Sequence, residues 1–471
     1  MLLLNLLVKP VWIFVIDRNV QIFVGHEEYG LYNALFSFTL IFNILLDVGI
    51  TNFNNRYIAS DQQRIINSLP NMLAAKGLLS MVYFGVLFLV AFSMGYAGRS
   101  LKLLALLAIV QLLNSFLQYL RSNISASQDF KIDSVVSVID KLLMILICSI
   151  LLFSPRFKPF FVIEWFVYAQ IVAYLFTIIL AILITTQRYT QIRMQHFSVV
   201  EMIRLCRVSL PYALLILLMG IYMRSDSLLL ERLQGAAENG IYAQAYRILD
   251  AANTFGLLFA GMLLSMFSRI ISKKLPVGDL VKTSANILMP VSLACVAFGF
   301  VYAQEIMYFF YNDSTREGSQ IFMLVFACFP AFSLMYIYST LLTANGSIKL
   351  LIKIALLGCL LSIGSNLVLI PLFQAKGAAM SAFLVEWMLA FLFIFFSHRT
   401  FELHLTARWI LQFTFFFALL LAANYGLKLL GCSFFMASVA NLILFVLISY
   451  SVGLWNRNLI ESYIRQYKSN S

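Results

Sequence analysis

Charged side chains that interrupt long apolar runs are the residues of this chain with the clearest potential for chemistry. Arg18, Arg224 and Arg247 lie within or at the ends of such runs. A charged group in hydrocarbon is costly, so it marks a functional position or an ion pair inside the protein. A guanidinium group binds phosphate oxygens through a two-pronged set of hydrogen bonds. We therefore assign these three arginines as candidate ligands for an anionic group in a polar cavity.

Three carboxylates in similar surroundings are candidates for ion coupling. They are Asp47, Asp226 and Asp250. A carboxylate inside a membrane protein can carry a proton or order a sodium ion. For Asp47 and Asp226 a second interpretation is open, in which each caps or orients a helix end.

Uncharged polar residues recur at helical spacing on otherwise apolar segments. Asn43 shares a face with Asp47, and Gln118 shares a face with Asn114 and Arg121. Because lipid cannot satisfy such groups, stripes on several segments predict a shared water-filled cavity, with Asn43 and Gln118 as candidate substrate-binding residues. The competing interpretation is hydrogen bonding between helices without a role in binding.

Other charged residues have simpler interpretations. Asp140 and Lys141 are predicted to be structural. Arg56 and Arg121 are expected to lie near segment ends, where a long side chain can extend to the membrane surface.

No arrangement typical of an enzyme is present in the sequence. The four histidines lack metal-ligand spacing, and no glycine-rich phosphate loop with its lysine is found. The six cysteines show no Cys-x-x-Cys pattern. We therefore expect a protein that is not an enzyme, with no metal and no cofactor, and with no direct use of ATP.

The elements that must position these residues are membrane helices. Of the 471 residues 62% are hydrophobic and 11% are charged, whereas soluble domains carry roughly a quarter charged residues. The net charge of +12 is scattered between apolar runs, so nucleic acid is not an expected partner. On a ruler of about 20 residues per span, the apolar segments number roughly fourteen. They are 3–24, 30–55, 71–95, 100–124, 133–153, 160–186, 206–231, 240–271, 282–303, 318–343, 350–373, 377–397, 408–428 and 433–454.

The distribution of Lys and Arg predicts the orientation of these spans. With a cytoplasmic N-terminus, the basic residues favour cytoplasmic loops by roughly two to one, as the positive-inside rule requires. An even number of spans then places both termini in the cytoplasm. The N-terminal segment lacks a small-x-small cleavage site, so we expect it to be a retained first span.

A short motif occurs twice along the chain and predicts an internal repeat. It opens the second and the eighth predicted segments, six spans apart, so both copies have the same orientation. Two such halves would be related by an axis along the membrane normal, a common plan among transporters. The two copies read Tyr29-Gly30-Leu31-Tyr32-Asn33-Ala34 and Asn239-Gly240-Ile241-Tyr242-Ala243-Gln244-Ala245.

An ordered set of motifs over residues 1–400 resembles the polysaccharide/oligosaccharide flippase branch of the multidrug/oligosaccharidyl-lipid/polysaccharide exporter superfamily. Each motif is weak alone, and their order gives the resemblance its specificity. Leu229-Leu230-Glu231 departs from the family, which often has a glycine here. The motifs are Gly25-His26-Glu27-Glu28-Tyr29-Gly30-Leu31-Tyr32, Leu46-Asp47-Val48-Gly49, Ser209-Leu210-Pro211, Asp226-Ser227-Leu228-Leu229-Leu230, Gly240-Ile241-Tyr242-Ala243-Gln244-Ala245-Tyr246, Asn345-Gly346-Ser347, Asn366-Leu367-Val368-Leu369-Ile370-Pro371 and Gly377-Ala378-Ala379.

The resemblance implies an all-α polytopic membrane protein with two six-helix lobes around a central cavity. The lobes are expected at 1–186 and 207–400, joined by a cytoplasmic loop at 187–206 and followed by two extra helices and a basic tail at 401–471. The implied cargo is a polyprenyl-pyrophosphate-linked oligosaccharide, flipped by ion-driven alternating access in the bacterial inner membrane for O-antigen, capsule or exopolysaccharide synthesis. Implied partners are membrane lipid, a polysaccharide polymerase and chain-length regulators.

Two alternatives remain open at this point. A cation-coupled drug or metabolite exporter would have the same fold, but would favour an acidic, aromatic cavity over a basic one. A membrane-embedded polysaccharide polymerase would need a substantial extracytoplasmic loop bearing catalytic residues, and none of the predicted loops is large.

Overall fold

The computed structural model describes residue 8 and residues 10–48, 64–126, 130–188, 199–403 and 407–455. Predictions that concern Arg56, most of the loop at 187–206 and the C-terminal tail therefore lie outside the described residues. Within the described ranges the chain is helical, with short turns between helices and no strand.

The first half of the chain begins with a π-helical segment, Trp12–Asp17, that runs directly into α1, and a short 3-10 turn, Asn43–Leu46, follows α1. The helices of this half are α1 (Arg18–Ile41), α2 (Arg64–Ser93), α3 (Arg99–Ala126), α4 (Phe130–Phe153), α5 (Ile163–Arg188), α6 (Val199–Gln234) and α7 (Ala236–Ser272). The second half contains α8 (Gly278–Val301), α9 (Ala303–Phe310), α10 (Arg316–Phe326), α11 (Phe329–Ala344), α12 (Ile348–Phe401), α13 (Ala407–Leu429) and α14 (Phe434–Ser451).

These helices confirm the all-α polytopic fold. In the described residues, 11 helices are long and apolar enough to cross a membrane. The 54-residue α12 is broken at Gln374 (φ 52°, ψ −134°), between the two segments predicted there. Similarly, α1 is broken at Gly25 (φ 83°, ψ 173°), between the first two predicted segments. The helices are thus consistent with the roughly fourteen predicted spans.

By its internal contacts the chain divides into two compact units. The first comprises Met1–Ala243 and Ala355–Leu367, and the second comprises Gln244–Ile354 and Val368–Ser471. The lobe boundaries expected from the resemblance stay a prediction.

In the first unit, α3 packs against α5 and α1, and α1 packs against α6. Tyr83, Leu104 and Phe166 are completely buried among these helices. Leu89 and Phe92, by contrast, are 70% and 62% exposed. Apolar faces of this kind are stable against hydrocarbon, whereas in water they would promote aggregation.

In the second unit, α13 packs on α8 and α14 packs on both. Two indole groups, one near the start of α13 and one just after the end of α14, donate hydrogen bonds to the same residue of α8. Trp409 Nε1 donates to Asn286 Oδ1 at 2.9 Å, and Trp455 Nε1 donates to the Asn286 carbonyl at 3.0 Å. The two helices beyond the expected twelve-helix core are therefore an integral part of this unit.

Candidate functional site

The first unit contains a backbone-to-backbone contact between α1 and the corner where α6 meets α7. A Cβ added to Gly30 would overlap the carbonyl oxygen of Ala236 and lie 2.7 Å from the nitrogen of Gly240. A Cβ added to Gly240 would overlap the carbonyl oxygen of His26. Only glycine permits such an approach, because any other residue would place a side-chain atom inside the partner backbone.

Two side-chain amides reinforce this contact from opposite sides. Asn239 Nδ2 donates to the carbonyl of Gly30 at 2.7 Å, and Gln21 Nε2 donates to the carbonyl of Gly240 at 3.0 Å. Both amides are buried. The two copies of the predicted repeat motif thus meet each other in reciprocal fashion, an arrangement that a local two-fold axis between them would produce.

Each repeat copy also contains a tyrosine that donates a hydrogen bond to a buried aspartate in the segment before it. Tyr29 Oη donates to Asp17 at 2.7 Å, and Tyr242 Oη donates to Asp226 at 2.8 Å. The two carboxylates are 4% and 5% exposed. Asp17 ends the π-helical segment, a geometry found often at functional sites.

Two of the three predicted arginines accompany these aspartates in the first unit. Arg18 begins α1 directly after Asp17, and its side chain is half-buried. Arg224 is half-buried in α6, within electrostatic range of Asp226. Arg224 is therefore electrostatically close to a buried carboxylate, whereas Arg18 is adjacent to one in the sequence.

The third predicted arginine belongs to the second unit. Arg247 Nη1 lies 3.7 Å from Asp250 Oδ2, one turn later on α7. Asp250 and the buried Glu386 both act electrostatically on the hydroxyl of Tyr336, whose ring packs against Gly256. The structure thus brings together two of the predicted residues, Arg247 and Asp250, beside a second carboxylate that the candidate list did not include.

The predicted polar stripe is present on α3. Gln118 is exposed within this membrane helix, donates to Asn114 Oδ1 at 3.5 Å and accepts from Arg121 Nη1 at 3.5 Å. Asn43 opens the 3-10 turn after α1, and its buried Oδ1 has no hydrogen-bond partner in the part of the chain that the structure describes.

Asp47 has a partner that the sequence analysis missed. Lys76 of α2 donates to Asp47 Oδ1 at 2.8 Å, to Ser115 Oγ at 2.7 Å and to the carbonyl of Leu46 at 3.2 Å. The Lys76 side chain is 1% exposed. The sequence could have identified Lys76 as a candidate, because this lysine interrupts an apolar run in the third predicted segment just as Arg18 does in the first.

Two further ion pairs bear on the simpler interpretations. Arg121 Nε donates to Asp133 Oδ1 at 2.9 Å, so Arg121 has an ion-pair partner on the next helix, and its expected position near the membrane surface stays a prediction. Lys141 lies 3.4 Å from Asp140 and 3.4 Å from the hydroxyl of Tyr174. These contacts agree with a structural role for the Asp140–Lys141 pair.

A third arrangement joins three helices at the end of the first unit where α3 begins. Arg99 donates Nη1 and Nη2 to the carboxylate of Glu28, at 2.6 and 2.8 Å, and Nε and Nη2 to that of Glu164, at 2.8 and 3.1 Å. Glu28 belongs to α1 and Glu164 to the first turn of α5. This arginine clamp was not predicted.

Among the described residues that were searched, no group of three or more His, Cys, Asp or Glu side chains could hold a metal ion.

Comparison with known proteins assigns the chain to a family. The family model described as "Polysaccharide biosynthesis protein" matches residues 3–271. No curated protein matches the chain.

Solved structures share the fold at low sequence identity. The lipid II flippase MurJ in an inward closed conformation is 13% identical, with a TM-score of 0.70 over 98% of this chain and 100% of that one. An inward-facing multidrug resistance MATE family transporter of the MOP superfamily is 16% identical, with a TM-score of 0.65 over 83% of this chain and 94% of that one. A MOP superfamily transporter from Pyrococcus furiosus is 16% identical, with a TM-score of 0.60 over 85% of this chain and 95% of that one.

Proposed function

Because the chain belongs to the polysaccharide biosynthesis protein family and has the fold of the MOP superfamily, we propose that it flips a polyprenyl-pyrophosphate-linked oligosaccharide across the bacterial inner membrane. The product serves surface polysaccharide synthesis, as O-antigen, capsule or exopolysaccharide. Movement occurs by alternating access between two six-helix lobes, 1–186 and 207–400, and an ion gradient drives it.

The observation that carries this proposal is the contact between Gly30 and Gly240. A carrier must close one end of its path while the other opens, so its closing surfaces need a tight and reversible fit. With a cytoplasmic N-terminus, the two glycines lie beside loops predicted on the extracytoplasmic side, and the amides of Asn239 and Gln21 donate hydrogen bonds next to their backbone contact. Individual hydrogen bonds of this kind contribute about 0.5–1.5 kcal/mol each, so such a contact can separate at modest cost.

The arginines supply the recognition of an anionic head group. Arg18, Arg224 and Arg247 each lie in a helix, and a pyrophosphate presents the oxygens that a guanidinium fork binds. Gln118 and Asn43 offer amides to sugar hydroxyls, while the polyprenyl tail stays in lipid.

Asp47, Asp226 and Asp250 are the proposed coupling residues. Asp226 and Asp250 each lie close to one of these arginines, so a change in their charge alters the affinity for the anion. Asp47 differs, since its charge is matched by Lys76.

The experiment that tests this function is a translocation assay with the purified chain in proteoliposomes. The lipid carries a radiolabelled oligosaccharide, and an added glycosidase reports how much glycan faces outwards. We expect the accessible fraction to rise with time and to rise faster under an imposed ion gradient. Proteoliposomes whose glycan stays protected under every gradient, at normal protein content, would falsify the proposal.

A second candidate is a cation-coupled exporter of drugs or metabolites. It is favoured by the pair of carboxylates, Asp250 and Glu386, that face Tyr336 in the second unit. Such a protein would expel a fluorescent organic cation from the same proteoliposomes and leave the lipid-linked glycan in place.

A further inference from the structure

Lys76 is the most completely buried basic side chain among the described residues, and all of its hydrogen-bonding capacity is used. An ammonium group has three N–H donors. Its three acceptors are the Asp47 carboxylate, the Ser115 hydroxyl and the Leu46 carbonyl, at 2.8, 2.7 and 3.2 Å. The Ser115 hydroxyl also contacts the Leu46 carbonyl at 3.3 Å, so the oxygen atoms are held close to one another.

The acceptors have the composition of a cation site. A carboxylate, a hydroxyl and a main-chain carbonyl are hard oxygen ligands of the kind that bind alkali and alkaline-earth ions. The Leu46 carbonyl ends the 3-10 turn that follows α1, and the last carbonyl groups of such a turn have no partner within it. Two of these oxygens belong to Leu46 and Asp47 in the segment after α1, the third belongs to Ser115 of α3, and the cation comes from α2.

We propose that Lys76 is the tethered occupant of a monovalent-cation site, and that the site binds a free monovalent cation once the lysine side chain is removed. In the intact protein the ammonium neutralises Asp47, so a second cation would bring an uncompensated charge into a buried position. The site therefore exchanges no metal ion while Lys76 is present. This inference does not depend on which cargo crosses the membrane.

The distances define the class of ion. The contacts of 2.7 to 3.2 Å are longer than typical calcium–oxygen distances, about 2.3–2.6 Å, and magnesium–oxygen distances, about 2.0–2.1 Å. One carboxylate also balances a single positive charge. The vacated site is thus suited to potassium, ammonium or methylammonium, and less well to the smaller sodium ion.

The competing interpretation is a purely structural salt bridge between Lys76 and Asp47. In that case a free cation would not stabilise a variant that lacks the lysine, whereas in a cation site it would. The test uses detergent-purified full-length protein and measures thermal unfolding by tryptophan fluorescence. Wild type, Lys76→Ala and the double variant Asp47→Asn/Lys76→Ala are compared in chloride salts of potassium, methylammonium, sodium and choline at one ionic strength. Choline, which is too large for the site, provides the baseline.

For Lys76→Ala we expect a low unfolding temperature in choline and a saturable rise of about 2 °C or more with potassium or methylammonium. The rise should exceed any seen in wild type and should vanish in the double variant, which lacks the carboxylate. An unfolding temperature of Lys76→Ala that is the same in all four salts would overturn the proposal.

The variant has a second readout if it is poorly produced. We then expect membrane extracts prepared in methylammonium to contain folded Lys76→Ala, detected as a symmetric peak in size-exclusion chromatography. If the neutral pair Lys76→Met/Asp47→Asn is recovered while Lys76→Ala is recovered in no salt, a free cation cannot replace the ammonium and the proposal fails.

Discussion

The side-chain amide of Asn239 donates a hydrogen bond of 2.7 Å to the carbonyl oxygen of Gly30, beside the point where the α1 backbone touches Gly240. Asn239 is fully buried, so separation of the two segments leaves its amide in need of water or another partner. The proposed closure of α1 against the α6–α7 corner therefore depends on two glycines for its fit and on the flanking amides for its register.

Gly30→Ala is expected to disrupt this closure. The new methyl group would overlap the carbonyl of Ala236, and the backbone must shift to relieve it, at a cost of about 1–3 kcal/mol. We expect a lower unfolding temperature and greater labelling, by impermeant reagents, of a cysteine placed near this contact.

Gly85→Ala is the matched control for this variant. Gly85 is an exposed helical glycine of α2 with no atom within 4 Å of an added Cβ. Alanine favours a helix by about 1 kcal/mol over glycine, so stability should be unchanged or slightly raised. If Gly30→Ala behaves like Gly85→Ala, the backbone contact does not contribute to closure.

Arg18 and Arg121 should respond differently to truncation. If Arg18 binds phosphate, Arg18→Lys keeps the charge but loses the fork, so glycan translocation falls, and Arg18→Ala abolishes it, while both proteins keep normal abundance. Arg121→Ala leaves the buried Asp133 without its guanidinium, so abundance should drop, with a destabilisation of about 3–5 kcal/mol.

Immunoblots of membranes together with the glycosidase assay separate the two outcomes. A normally abundant Arg18→Ala protein with full translocation refutes a role for Arg18 in head-group binding. An Arg18→Ala protein that is lost from the membrane assigns Arg18 to the structure instead.

Asp226→Asn is expected to impair coupling without loss of folding. The amide keeps an oxygen that can accept the Tyr242 hydroxyl, but it carries no charge and takes up no proton. Gradient-driven translocation should therefore fall while exchange without a gradient persists. Tyr242→Phe removes the hydrogen bond but leaves the charge of Asp226 in place. Translocation by this variant should still rise under a gradient.

The same comparison extends to the other two proposed coupling residues. Asp47→Asn and Asp250→Asn are measured beside Asp226→Asn in proteoliposomes with and without a gradient. Normal gradient-driven transport by all three amides would assign these carboxylates to structure.

The predicted orientation can be tested by labelling in intact cells, with the six native cysteines replaced by serine. Ser198→Cys and Ser471→Cys should resist impermeant thiol reagents, because both positions are predicted to be cytoplasmic. Arg156→Cys, on the exposed turn between α4 and α5, should react. If Ser198→Cys and Ser471→Cys react with reagent added outside the cell, the predicted orientation is wrong.

The fold was largely predictable from apolar segment length, because each span must satisfy its backbone internally and cross a fixed thickness of hydrocarbon. The breaks at Gly25 and Gln374 fall in the short gaps between predicted segments. The segment predicted at 318–343 contains two helices, α10 and α11, which meet near Cys328. Hydropathy cannot detect such a junction, since the residues around it are all apolar.

The pairing of side chains was much less predictable. Asp17 was not among the candidate residues, and nothing in the sequence identified Tyr29 as its hydrogen-bond partner. Likewise, Arg121 and Asp133 lie on different helices, and their ion pair depends on how α3 and α4 pack. Helical periodicity assigns residues to a face, but the residue opposite that face is determined by tertiary structure.

Arg99 has a mechanical consequence for the first unit. Its guanidinium makes four hydrogen bonds to Glu28 and Glu164, so α1, α3 and α5 are tied at one end through a single planar group. Separating these ends would break all four bonds at once. We therefore expect α1, α3 and α5 to pivot about Arg99 when the unit flexes. Their largest displacements relative to one another should occur at the opposite membrane face.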